Sequence, residues 1–120
     1  VKSKPKLWTN SDLRKEFDRL KKLYFDETMP NPRTIRFEPI DGLGRTFRYR
    51  NPGARRSKDD DFGIQISRKL RYSRRLWLGT LVHEMVHLEQ RNKYSCGIRG
   101  KRFNGRMRQL ALTGCFDGIW

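Results

Sequence analysis

Apolar residues recur along this chain in two rhythms, and the switches between them predict the order of its elements. From Asp12 to about Phe25, Leu13, Phe17, Leu20, Leu23 and Tyr24 follow one another at steps of four, three, three and one, which builds one helical face with charges opposite. Thr9, Asn10 and Ser11 offer side-chain oxygens to the open amides of the first turn, and Pro30 and Pro32 close the segment. The period then becomes two. In Thr34–Glu38, Ile35 and Phe37 alternate with Arg36 and Glu38. After the turn-prone Asp41-Gly42-Leu43-Gly44, the stretch Arg45–Arg50 alternates Phe47 and Tyr49 with arginines, and Phe62–Ser67 sets Phe62, Ile64 and Ile66 on one side. Their linkers are too short for helical crossovers, so the three strands predict a small antiparallel sheet. Phe47 and Tyr49 are expected to face the core, the alternative being that, interleaved with arginines, they stack the bases of a single nucleic-acid strand. Helical spacing returns from about Arg74 to Arg91. It returns again near Lys101, where Phe103, Met107, Leu110 and Ala111 share a face and Gly114 supplies a stop. Helix, three strands, helix, helix is an α+β order. Residues 1–8 read as a flexible basic arm and residues 9–120 as one domain.

Composition narrows the class. A chain of 120 residues has room for one core, and 12% aromatic residues favour a packed domain over a disordered basic tail, even with 34% charged residues. The most apolar stretch, Leu76 to Leu88, is broken by Thr80, His83, Glu84 and His87, well short of the roughly 18–20 apolar residues of a membrane span. Val1–Lys6 is basic without an apolar region after it, so no secretory signal is expected. Two cysteines, Cys96 and Cys115, are too few for a disulfide scaffold, which points to a reducing, cytoplasmic setting.

Histidine is the most telling count, because there are two and they stand four apart. His83-Glu84-Met85-Val86-His87 is an HExxH motif within a predicted helix. Positions i and i+4 share a helical face, so both imidazoles can reach one zinc ion, and the glutamate beside the first can take a proton from a water that the metal activates. For two histidines placed at random, roughly 2% of placements have this spacing, and requiring the glutamate lowers that about tenfold. Leu78, Leu81, Val82 and Met85 cluster about 160° away from the histidines on the helical wheel, so one side can bury while the histidines face a cleft. The plainer alternative is a pair of surface histidines on an ordinary amphipathic helix.

Ile64-Gln65-Ile66-Ser67, then Leu81-Val82-His83-Glu84-Met85-Val86-His87-Leu88, then Gly100 and Phe103 resemble the SprT-like family, which includes the Spartan proteases. The resemblance runs from about Phe62 to Leu112. It implies a zincin-type core and, from the family's best-known members, zinc-dependent proteolysis at DNA. The family's C-terminal zinc ribbon has CxxC pairs that this chain lacks, so it resembles a short stand-alone form of the sort phages also encode. One position departs from the pattern. Where the family reads H-G-x-x-F and closes the zinc site with a third histidine, this chain has Arg99-Gly100-Lys101-Arg102-Phe103. A guanidinium has no lone pair to give, so Arg99 is no zinc ligand. Cys96, three residues earlier, is the candidate replacement, its alternative role being a small buried loop residue. Glu89 falls on the core side of the wheel, and Asp59-Asp60-Asp61 reads more simply as a solvated turn than as a metal site. Arg99 can also pair with Glu84 in place of a metal, which would leave a catalytically degenerate fold.

Net charge adds a partner. Twenty-eight Lys and Arg against 13 Asp and Glu give +15, which favours a polyanion, nucleic acid first and an anionic membrane surface second, with an acidic protein as a further candidate partner. The candidate contacts form three groups: Arg45, Arg48, Arg50, Arg55, Arg56 and Lys58; Arg68, Lys69 and Arg71; and Arg99, Lys101, Arg102 and Arg106. No base-reading motif is present, so binding independent of sequence is expected, with DNA the leading candidate.

Overall fold

The computed structural model describes residues 7–25, 29–49, 62–93 and 101–115, the side chains of 91–93 and 101–103 aside. Helix α1 (Asn10–Tyr24) starts at a capping box. The Asp12 amide donates to Thr9 Oγ1 at 3.3 Å and the Thr9 amide to Asp12 Oδ2 at 2.8 Å, so two otherwise open donors are satisfied reciprocally. Leu13, Phe17 and Leu20 are fully buried, whereas Leu23, predicted on the same face, is 58% exposed. At about 100° per residue Leu23 stands about 80° off the line through Leu13, while Tyr24 falls within about 20° of it and is half-buried.

The sheet corrects the antiparallel expectation. Strands β1 (Thr34–Glu38), β2 (Gly44–Arg48) and β3 (Phe62–Ser67) lie in the order β1-β3-β2, with β3 parallel to β1 and antiparallel to β2. Parallel neighbours need a return path, and here β2 is that path: the chain runs up β1, down β2 and up β3. The most deeply buried strand, β3, takes the centre, while the exposed Arg36, Arg45 and Arg48 fall on the two edge strands.

Helix α2 (Arg74–Lys93) packs against α1, β2, β3 and α3. The Ser73 hydroxyl accepts the Leu76 amide at 3.4 Å in its first turn. Trp77, Leu78, Leu81, Val82 and Met85 form the centre of the core, at most 1% exposed. Helix α3 (Lys101–Leu112) ends where the sequence predicts. Gly114 adopts φ +88°, its amide donates to Ala111 O at 3.3 Å, and the Cys115 amide donates to Leu110 O at 3.0 Å, with Leu110 and Cys115 both buried. Trp8, ahead of α1, is held against the body of the domain. Its amide donates to Arg71 O at 3.0 Å, and its ring lies 5.5 Å from Trp77.

Phe47 and Tyr49 do not face the core. The residues that β2 turns toward α2 are Gly44 and Thr46, and Phe47 lies on the opposite face over Gly63, where an added Cβ would collide with its ring. The cause is close approach: a Cβ on Gly44 would stand 2.7 Å from Thr80 Cγ2, which leaves no room for a ring between helix and strand.

Candidate metal centre

One turn of α2 brings His83 and His87 together. Their Nε2 atoms are 3.2 Å apart and their ring planes cross at 76°. Two nitrogens each about 2.0–2.1 Å from one tetrahedral zinc would stand about 3.3 Å apart, so the pair has the spacing of two ligands of one ion. The same distance suits a hydrogen bond from one Nε2–H to the other Nε2, a proton that a metal ion would replace. His83 lies on the exposed side, yet part of its ring is shielded, and that desolvation holds its pKa below the ordinary 6.5. The shift favours the neutral ring, the form whose lone pair binds metal.

Glu84, between them in sequence, points inward and is 5% exposed. Thr46 Oγ1 lies 2.9 Å from Glu84 Oε1 and 3.1 Å from the Glu84 main-chain oxygen, so its one hydroxyl proton bridges helix α2 to strand β2. Gly44 stands beside the same carboxyl group: a Cβ there would reach within 3.1 Å of Oε2. The sequence reading did not single out Thr46 or Gly44. Their signal was two small residues alternating with Arg45 and Phe47 on a strand, the mark of a close-packed inner edge. A cleft of about 770 Å³ opens along this edge, with Gly44, Thr80, His83 and Glu84 in its wall and apolar cover from Leu43 and Leu76.

The remaining predicted site residues divide. Cys96, Arg99 and Asp59–Asp61 lie outside the described residues, as do Arg50, Arg55, Arg56 and Lys58. Among the described residues no group of three or more His, Cys, Asp or Glu side chains is placed to share a metal ion. Cys115 is a packing residue. It is 4% exposed, and burial pushes its thiol from the ordinary 9.0 up to about 11, against the opposing pull of Arg106 and Arg19. Arg45, Arg48, Arg68 and Lys69 are exposed. Arg71 is drawn inward, its Nε donating to Trp8 O at 3.1 Å. Arg106 is committed to the interior too: Nε and Nη2 donate to the two carboxylate oxygens of buried Glu89 at 2.7 and 3.1 Å, and Nη2 also donates to Tyr24 O at 2.7 Å. That pairing turns these Arg106 donors to the protein's own groups and explains why Glu89 sits on the core side. Lys101 and Arg102 open α3.

No protein-family model matches the chain, and neither a curated protein nor a solved structure is found to be similar to it. Among the described residues no helix is long and apolar enough to cross a membrane.

Proposed function

We propose that this chain is an SprT-like, zincin-type zinc peptidase that cleaves proteins associated with nucleic acid. The observation that supports this most is the 3.2 Å approach of the two Nε2 atoms beside a buried glutamate. His83 and His87 would hold the zinc, with Cys96 as the third ligand. Bound zinc supplies Lewis-acid polarisation of the scissile carbonyl and lowers the pKa of a water at the site. Glu84 is the general base for that water and then the acid for the leaving amine. Thr46 anchors the Glu84 carboxyl at Oε1, so the proton acceptor keeps one orientation. The strand edge from Leu43 to Thr46 and the apolar cover from Leu76 give an extended peptide a surface to lie along.

A rival reading is favoured by one observation: the chain has two histidines, and Arg99 stands where the family pattern places the third. In that reading Arg99 neutralises Glu84, and the fold serves as a nucleic-acid-binding or protein-binding module without proteolysis. The test is cleavage of a DNA-bound basic protein by wild type, Glu84→Gln and Arg99→His, each with zinc titrated in. A peptidase with Cys96 as ligand cleaves as wild type, loses cleavage but keeps zinc as Glu84→Gln, and changes little as Arg99→His. A degenerate site shows no wild-type cleavage and gains zinc affinity as Arg99→His.

A further inference from the structure

Helices α1 and α2 pack on the face of the sheet that carries Ile35, Phe37, Ile64 and Ile66, so the side chains of the other face form a separate surface. Register places them. Phe47, Gly63 and Thr34 form one row across the three strands, and Arg45, Gln65 and Arg36 form the next. Tyr49 continues the β2 side of this face, and its hydroxyl lies 2.8 Å from Thr34 Oγ1, across β3. The rings of Phe47 and Tyr49 meet edge to face at 5.0 Å, with the Arg45 guanidinium 5.1 Å from the Phe47 centroid and that of Arg33 4.3 Å from Tyr49. Arg33, Arg36 and Arg45 are exposed, and the one acid of the two edge strands on this face, Glu38, stands at the far end of β1.

We infer that this outer face is a platform for single-stranded nucleic acid. The inference rests on the reading that the chain's polyanionic partner is nucleic acid, and it adds the place and the strandedness. Two aromatic rings layered with guanidinium groups offer flat, cationic surfaces on which unpaired bases stack, while Arg36 and Arg45 stand two strands apart to meet phosphates on either side. Duplex DNA hides its base faces and gains nothing from the rings. An acidic peptide would use the arginines and leave the aromatic pair idle. Phe47 and Tyr49 are half-buried on the side away from the core, and a stacking platform gives that placement a use.

The experiment measures binding of a fluorescein-labelled 15-nucleotide oligo-dT and a 15-base-pair duplex to the full chain by anisotropy, over a series of salt concentrations. Wild type should bind the single strand tighter than the duplex. Phe47→Leu keeps an apolar cover over Gly63 but removes the π face, and should weaken oligo-dT binding about tenfold with little change for duplex. Arg36→Gln/Arg45→Gln should reduce the slope of log K against log salt by about 1.4, the value for two single-strand phosphate contacts. Lys15→Gln/Lys22→Gln removes the same charge from exposed positions on α1 and should leave that slope nearly unchanged. Equal losses from the two charge pairs, or duplex preference with Phe47→Leu indifferent, would overturn the platform while leaving nucleic-acid binding intact. Wild type that binds neither probe at low salt overturns the nucleic-acid reading itself.

Discussion

Arg106→Met is the sharpest test of how the three helices are held together. The substitution preserves much of the aliphatic volume beside Phe25, whose centroid lies 5.2 Å from the guanidinium, and removes every donor. Glu89, 5% exposed at its side chain, loses both charge-assisted bonds, and the Tyr24 carbonyl loses a third. Breaking a buried pair by removing one partner costs about 3–5 kcal/mol, because the other charge stays buried. The Arg106 side chain is 19% exposed, so the lower end applies, about 3 kcal/mol. With an unfolding entropy near 2.1 cal/mol/K per residue, 120 residues give about 0.25 kcal/mol/K, and the melting temperature should fall by about 12 °C. Glu89→Leu/Arg106→Met removes both charges and should recover most of that loss. Urea and thermal unfolding of the four proteins in a double-mutant cycle measure each step. A single substitution that costs less than about 0.5 kcal/mol, with no recovery in the double, would show that Arg106 points to solvent and that the clamp is not formed.

Two further predictions follow from buried groups. Thr46→Val keeps the shape of the side chain but withdraws the hydroxyl from Glu84, and should cost about 1.5–3 kcal/mol in denaturant unfolding at neutral pH, whereas Thr46→Ser should cost much less. Equal losses for valine and serine would mean that packing of the γ-methyl, not the hydrogen bond, is what Thr46 contributes. Burial raises the Cys115 thiol to about 11, so the folded chain holds that proton more tightly than the unfolded chain with its ordinary value of 9.0. Its contribution to stability is therefore complete below about pH 9 and lost as pH rises toward 11. Melting temperature should fall more steeply across that window in wild type than in Cys115→Ala, and parallel curves would contradict the assignment.

Much of this fold was legible because local signals agreed with one another. Thr9 with Asp12, Gly114 with Cys115, and the alternation in Thr34–Glu38 and Phe62–Ser67 each mark an element end or face without outside information. What was not legible depended on distance in three dimensions. Strand order required knowing that β2 could serve as a return leg, and linker length cannot show that. Side-chain bulk does not mark the buried side of β2. The close approach of α2 instead selects Gly44 and Thr46 for the inside and turns Phe47 outward. Arg106 resembled its basic neighbours until Glu89, 17 residues away, was brought beside it. The histidine pair was legible from spacing alone, since one helical turn sets its geometry; a third ligand would have to come from outside the helix, and no periodicity speaks to that.

The central claim is that His83 and His87 form two corners of a zinc site. It is tested most directly by the zinc content, by mass spectrometry, of wild type and His87→Ala after loading with the metal and exhaustive dialysis. The account predicts about one zinc per wild-type chain and essentially none in His87→Ala. A folded wild type that retains no zinc, or a His87→Ala variant that retains as much as wild type, would contradict it.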